Sequence, residues 1–427
     1  MDEPAPGGFA PTRAAALDRL AAVRPADYAR TRNHLRGAVS RLSPYITHGL
    51  LTLPEVYRAV DDRHRIGAQH KFSYELGWRE FFHHQWLQHG GAIFESLRPG
   101  PLPDSAYSRA MPDNVLHACT GIAVIDQAVT ELHQTGWLHN HARMWLASYL
   151  VHLRRVHWRV GADWMYGHLL DGDLASNHLS WQWVAGTASH KPYLFNADNV
   201  ARYAPPHWHS PGTIIDTDYE SLEAIARGGP LPDSGGRRSD RIGATRVAAA
   251  AAGAGAGRGE AGDGLVAAEG LQSLATSVQV GPSTGRGPAV SHEPPRWLPG
   301  LPTIERAALS ELAGHWLVHP WNIRPAPGGR RAIGVLLASF HERWPWSEQR
   351  WQFVLAAMGE VCERIVWCEL LEDEAGGPAG FDTIADPHLV PWLPPGIGSP
   401  VPRLFDWPQR ACRSFSDFWN RTRLARA

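Results

Sequence analysis

The sequence predicts a mainly α-helical block, then a linker without stable structure, then a small α/β block. Three observations carry this. Thr12 to Pro211 is dense in aromatics, with apolar residues at helical spacing and no convincing two-residue alternation. Gly228 to Pro295 includes RVAAAAAGAGAGRGEAGDG and lacks the aromatics needed to offset chain entropy. Trp297 to Leu424 returns to short β-type runs around one helical stripe. The boundaries drawn are 1–215 for a helical domain, 216–296 for a disordered linker and 297–427 for a small α/β domain.

The helical block divides into candidate helices at 12–23, 53–60, 69–89, 121–134, 139–160, 162–170 and 174–187, joined by long loops. In the last block, HWLVHPWNI, AIGVLLASF and RIVWCEL read as strands. Between the last two lies SEQRWQFVLAAMGEVCE, with a Ser cap and an apolar stripe of Trp351, Val354, Leu355 and Met358. Strand, helix and strand in that order predict a parallel pair. Neither a G-x-G-x-x-G run nor a P-loop occurs there, and the block's role is not legible.

Composition bounds the function. A chain of 427 residues holds two ordinary domains and a linker. Hydrophobic residues at 44% permit a large core, and charged residues at 19% argue against a wholly disordered chain. With net charge -1, any face that binds nucleic acid must be local. Most of the 19 Trp are expected in the core or its rim, leaving a few to stack on planar ligands or carry electrons. Cys119, Cys362, Cys368 and Cys412 form no C-x-x-C pair and read as reduced thiols of a cytoplasmic protein. An iron–sulfur site would require Cys119 to meet the distant three. The start, MDEPAPGGFAPTR, is acidic and lacks the apolar stretch of a signal peptide, and no apolar run spans a bilayer. A soluble protein without membrane contact is expected.

Three helical stripes carry chemistry. In YELGWREFF, Glu75, Trp78 and Arg79 share one helix face. A carboxylate, an indole and a guanidinium suit the wall of a polar cavity; an exposed face with an intrahelical ion pair is the plainer alternative. In TGWLHNHARMWLASYLV, Asn140, Arg143 and Met144 share a face that Ala147, Leu150 and Val151 continue as a buried stripe. The letters HNH at His139 to His141 do not make a nuclease, because consecutive helical residues point in different directions. Nor do residues two apart face each other to chelate a metal. Both histidines are read as ordinary polar contacts.

LLDGDLASNHLSWQWVAGT says most. Gly172 allows a sharp turn, Asp173 caps the following helix, and Asp173, Asn177 and Trp181 recur at four-residue steps. Asp171 lies just outside the helix start. Two carboxylates and a carboxamide so close suit a heterocycle with donors and a charge to balance, since a plain core would desolvate them badly. A solvated helix start with two capping acids is the alternative. A calcium loop at DGD lacks the later oxygen ligands and the terminal Glu. Upstream, in RLSPYITHG, Ser40, Ser43 and the amides around Leu42 suit phosphate oxygens at a helix N-terminus, and Tyr28 adds a phenol donor.

Taken together, RLSPYITHG, ELGWREFF, TGWLHNHARM and DGDLASNHLSWQW resemble the DNA photolyase/cryptochrome family, over roughly Tyr28 to Ala204 and in the family's order. The resemblance implies a helical FAD-binding domain of photolyase type. It implies that Tyr28, Ser40, Leu42 and Ser43 hold the diphosphate and ribityl chain of a U-shaped FAD, with Phe72 nearby. It implies an Arg143–Asp171 ion pair against the isoalloxazine, Asp173 accepting from the ring and Asn177 facing N5. Arg79 joins this cofactor-binding set. Glu75 would hydrogen-bond the base carbonyls of a damaged dinucleotide, and Asn140 the same substrate or the adenine. Trp78 and Trp183 would pack the two sides of the dimer pocket, which Met144 would line.

The implied activity is light-driven splitting of cyclobutane pyrimidine dimers in damaged DNA, a lyase reaction of a monomeric enzyme. Relatives acting on the (6-4) photoproduct are expected to carry His where Asn140 and Met144 stand. Trp181 and Trp158 match the inner two members of the family's electron-transfer chain. No Trp occurs where the outer member belongs, and Tyr107 is only a nearby aromatic. The family's α/β antenna domain normally comes first, whereas here the α/β-like block comes last; no antenna chromophore is assigned. A blue-light receptor of cryptochrome type that does not repair, and a flavin-free DNA-binding protein, stay open alternatives.

Overall fold

Helices occupy the first half of the chain in this computed structural model, which describes residues 8–230, 288–295, 304–307, 312–368, 380–393 and 396–425. They are α1 (Arg13–Ala21), α2 (Pro25–Thr31), α3 (Ser43–Thr47), α4 (Leu53–His64), α5 (Lys71–His89), α6 (Asp113–Leu116), α7 (Ala123–Thr135), α8 (Asn140–Ser148), α9 (Trp158–His168), α10 (Leu174–Ala185), α11 (Ala197–Tyr203) and α12 (Tyr219–Ala226). The sequence sets their ends. Thr52 and Glu55 form a capping box at α4, Asp173 accepts from the Ser176 amide at α10, and Gly136 and Gly186 close α7 and α10 in the left-handed conformation.

One expected helix is two. The span 139–160 holds α8, one π-helical turn at Tyr149–Leu153 and the start of α9. The chain breaks where Arg155 adopts φ 49° and Val156 bridges to Ser108. His157 then restarts the helix, its ring accepting from the Arg159 amide. The expected linker, 216–296, is also too wide. α12 buries Leu222 and Ile225 in the helical core, and Val290–Ser291 forms a strand. The rest of that expectation, 231–287, lies outside the described residues.

The later elements are β1 (Val290–Ser291), β2 (Ile304–Ala307), β3 (Trp316–Val318), β4 (Ala332–Leu337), α13 (Ala338–Arg343), β5 (Trp346–Ser347), α14 (Glu348–Gly359), β6 (Arg364–Cys368), β7 (Ile384–Ala385), β8 (Ser399–Pro400), β9 (Phe405–Asp406), α15 (Phe415–Arg421) and β10 (Arg423–Leu424). The main sheet is parallel, in the order β2-β6-β4-β3. Its β4–α14–β6 unit matches the sequence expectation, with Ser347 capping α14 and Trp351, Val354, Leu355 and Met358 buried.

One hydrophobic core runs through both blocks. Tyr45, Tyr166, Leu170 and Leu174 share it with Trp321, Trp346, Trp351 and Phe353. Rings meet across the junction, Tyr45 with Phe353 at 6.0 Å and Phe94 with Trp344 at 5.1 Å. The last residues are strapped to α5. The buried Glu80 carboxylate accepts from the amides of Leu404 and Phe405 and from the Trp407 indole, and Gln85 donates to the Cys412 carbonyl. Gly77 makes room here, since a Cβ on it would lie 2.5 Å from Trp419.

Candidate functional site

α2, α3, α5, α8, α9 and α10 enclose a cavity of about 560 Å³, within the range of ligand pockets. Its walls are built by the three stripes. From α5 come Phe72, Glu75 and Arg79; from α8 come Asn140, Arg143 and Met144; from α10 and the turn before it come Asp171, Asp173, Asn177 and Trp181. Tyr28, Ser40 and Ser43 complete it. The helical spacings therefore aim three separate segments at one space.

The charges inside are compensated. Arg143 Nη2 reaches both Asp171 oxygens, at 2.9 and 2.7 Å, and its Nε donates to the Leu138 carbonyl. Asp173 divides its oxygens: one accepts from the Ser176 amide at 2.8 Å, the other from Arg79 at 3.2 Å and His83 at 2.7 Å. Burial alone would raise the Asp173 carboxyl, but Arg79 and His83 hold it well below the usual carboxylate range. Asn177 Nδ2 donates to the Ala162 carbonyl at 2.8 Å, which fixes the amide's orientation and turns Oδ1 into the acceptor available to the cavity.

Glu75 is paired twice, with Arg32 at 3.2 Å and Lys71 at 2.9 Å. Burial pushes the Tyr28 phenol up, so it is a neutral donor, and its ring sets edge-on to Phe72 at 5.3 Å. Ser43 accepts from the Trp137 indole and keeps its own proton to donate. α3 spans only five residues, so a phosphate there would meet hydroxyls and turn amides more than a helix dipole. Of the two histidines, His139 makes the expected polar contacts, whereas the His141 ring packs against Tyr203 at 5.1 Å and Trp145 at 5.8 Å. His139 caps α8 and reaches the Arg32 carbonyl, and burial pushes both rings down to about 4, leaving them neutral at pH 7.

Four of the expected site residues, Leu42, Trp78, Trp158 and Trp183, are not among those that line the cavity. Leu42 is buried in the shared core, because its side chain points away from the turn that carries Ser40 and Ser43. Trp78 stacks on Phe415 of α15 at 4.0 Å and 9°, where the strapped C-terminal residues cover it. Trp183 is 42% exposed and leans on Tyr193, because two residues along α10 from the cavity-lining Trp181 is another face. Trp158 lies behind the cavity wall and donates to Ser96. The Trp181 indole lies against Gly161, one turn beyond Trp158 in α9, so the two are neighbours through the same helix. Next to Trp158 stands His157 at 5.7 Å, and next to that Tyr107 at 6.3 Å.

Sequence reasoning missed Arg32 and Arg41. Arg41 lines the cavity between Ser40 and Leu42, over the Trp137 ring at 4.7 Å and with φ 50°. Its position inside RLSP was the available signal. The expected turn before α10 is present, closed by the Gly172 amide donating to the Leu169 carbonyl at 3.1 Å, but Gly172 does not take a positive φ in it; a Cβ there would lie 2.4 Å from Arg350 Nη1 and 2.8 Å from the Tyr166 carbonyl. What requires glycine is therefore the close approach of Arg350 to the turn, not a left-handed backbone.

These features fit FAD: phenol, hydroxyl and guanidinium donors at one end, a balanced ion pair and an orientation-fixed carboxamide at the other, and apolar walls of Met165, Leu169 and Val184. Residues 72–207 match the family described as the FAD binding domain of DNA photolyase. Over 170 residues the chain is 36% identical to a deoxyribodipyrimidine photo-lyase of Streptomyces griseus, covering 38% of this chain and 36% of that one. Over 223 residues it is 28% identical to a cryptochrome DASH of Natronomonas pharaonis, covering 47% and 46%. A solved Synechocystis cryptochrome aligns at 26% identity over 52% of each chain with a TM-score of 0.42. The chain spans about half or less of the length of these relatives. Among the described residues, no helix is long and apolar enough to cross a membrane, and no cluster of His, Cys, Asp or Glu could hold a metal ion.

Proposed function

We propose, for a chain whose residues 72–207 match the FAD binding domain of DNA photolyase, light-driven repair of cyclobutane pyrimidine dimers in damaged DNA. The observation that carries this reading is the convergence of Glu75, Asn140 and Met144 with Arg143, Asp171 and Asn177 on one cavity. FAD held by Tyr28, Ser40, Ser43, Arg143, Asp171, Asp173 and Asn177 would supply reversible one-electron chemistry, which opens the dimer ring without net redox change. The protein's residues bind, orient and tune.

Arg143, paired with Asp171 and lining the cavity, would balance the charge of an anionic ring. Asp173, held ionised by Arg79 and His83, accepts from flavin ring donors. Asn177 Oδ1 would be the acceptor for flavin N5, and a neutral amide there would not oppose the reduced anion as a carboxylate would. Glu75, oriented as a carboxylate by Arg32 and Lys71, can only accept, so on an extruded dinucleotide it would meet base N–H groups in place of the base carbonyls expected from the sequence. Trp181 and Trp158 are assigned to electron transfer.

A second reading, a light receptor that does not repair, is favoured by one observation: Phe415 stacks on Trp78, so a C-terminal helix sits where the dimer wall was expected. A repair assay on thymine-dimer DNA, under blue light and in the dark, decides between them. Light-dependent loss of dimers supports repair; flavin photochemistry with no loss supports the receptor; a purified protein that releases no FAD on denaturation sinks both.

A further inference from the structure

We infer that the C-terminal block is built into the flavin site, with Arg350 and His388 as positioning residues for the 169–174 segment that carries Asp171 and Asp173. The inference rests on the reading that these two carboxylates face the flavin.

Arg350 of α14 is fully buried, yet no carboxylate lies within ion-pair distance of it among the described residues. Its fork grips backbone instead. Nη1 donates to the Tyr166 carbonyl at 2.8 Å and Nη2 to the Gly172 carbonyl at 2.7 Å. The guanidinium lies over the Trp346 ring at 4.1 Å and the Tyr166 ring at 4.5 Å. A buried cation without a contacting counter-ion is costly. Here the two carboxylates flanking Gly172 supply the compensating field, one residue away on either side. The DGD sequence therefore has a reason outside its own turn: the central residue must be glycine to let the guanidinium reach the backbone, and the flanking acids offset its charge.

His388 holds the other end of the segment. The Leu174 amide, first in α10, donates to His388 Nε2 at 3.1 Å. The proton must then sit on Nδ1, which donates to Asp386 at 2.7 Å. Trp321 stacks on the imidazole at 4.6 Å and 8°, fixing its plane. His48 adds a third hold, with one ring nitrogen toward the Leu170 carbonyl and the other toward the Pro320 carbonyl of the C-terminal block. From Tyr166 to Leu174 the backbone is held from both sides: Arg350 and His388 of the α/β block meet the Tyr166 and Gly172 carbonyls and the Leu174 amide, while Gly136, Thr47 and His48 of the helical block meet the Leu170 amide and the Asp171 and Leu170 carbonyls. Placement of the carboxylates, and with it the balance between oxidised and reduced flavin, is thereby coupled to that block. Arg350 adds a fixed positive charge behind the site, which favours the reduced anion.

The test uses the full chain loaded with FAD, and reads FAD dissociation constant, flavin midpoint potential and thermal midpoint. We expect Arg350→Met to raise the dissociation constant about tenfold, about 1.4 kcal/mol, and to lower the midpoint potential. Arg350→Lys, keeping the charge without the fork, should weaken binding but recover the potential. His388→Leu should weaken binding as well, and serves if Arg350→Met fails to fold. Trp351→Phe in the same helix should lower the thermal midpoint without moving the potential. Asp171→Asn and Asp173→Asn report on the underlying reading. If those two alter the flavin while Arg350→Met and His388→Leu do not, the inference is overturned and the reading stands. An equal potential shift in Trp351→Phe also overturns it, and inert Asp171→Asn and Asp173→Asn remove the reading beneath it.

Discussion

Replacing Glu80 with Gln tests whether the C-terminal residues are held to α5 by a carboxylate. Glu80 is buried and receives three donors, the Leu404 amide, the Phe405 amide at 3.1 Å and the Trp407 indole at 2.8 Å. Burial pushes its carboxyl above the ordinary range, but the groups facing it are all donors, so at neutral pH the ionised form is the one that fits. Gln keeps one acceptor oxygen and turns an NH2 toward at least one donor. That loses a hydrogen bond to a charged group, about 1.5–3 kcal/mol, and reduces the strength of those that remain by roughly half. The sum is a destabilisation of about 2–4 kcal/mol, large against the ~5–15 kcal/mol of a whole domain. Because Phe415 and Trp419 pack downstream of that anchor, cleavage by trypsin at Arg410 and Arg413 should accelerate in the variant. Urea unfolding at pH 7.5 measures the first quantity and a proteolysis time course the second. A change below about 0.5 kcal/mol, the scatter of ordinary surface substitutions, with unaltered cleavage would refute the carboxylate anchor.

Other outcomes follow from the site. Asn177→Asp sets a carboxylate against the Ala162 carbonyl and, in the proposed geometry, near flavin N5; accumulation of reduced flavin under illumination should fall, and an unchanged yield contradicts the assigned position. Gly172→Ala should destabilise by about 1–3 kcal/mol through overpacking against the Tyr166 carbonyl and Arg350, read as a lower urea midpoint; a neutral result would mean the close approach is relaxed at no cost. Asp173 is depressed in the folded state, so its contribution is present above the unfolded carboxyl value of about 3.9 and is lost as pH falls through the lower folded value. Wild type should therefore lose stability on acidification below pH 4 more steeply than Asp173→Asn, and parallel curves would argue against the Arg79–Asp173–His83 network.

The helices that the sequence made legible are those with an apolar stripe and a recognised cap, such as α4 with its capping box and α10 with Asp173. The break between α8 and α9 was hidden because neither Gly nor Pro marks it, and its cap is His157, outside the usual capping residues. β2 was missed because IERA alternates too briefly to register, and α12 because its eight residues sit beside a Gly-rich stretch. For the site, spacing on a single helix found most of the cavity, since residues three or four apart share a face. It could not find Arg350 or His388, which lie some two hundred positions away and act on backbone atoms that have no sequence signature. Nor could it foresee Phe415 over Trp78, a contact made only when the chain end folds back.

The continuity of the core across the two blocks bears on how the protein is made. Tyr45 and Leu170 leave the ribosome long before Trp346, Phe353 and Trp367, the surfaces that will bury them. At about 5–20 residues per second, the helical block waits on the order of ten seconds or more with that apolar face uncovered. Synthesis temperature and chaperone supply should therefore govern yield of soluble protein more than the stability of the finished fold does.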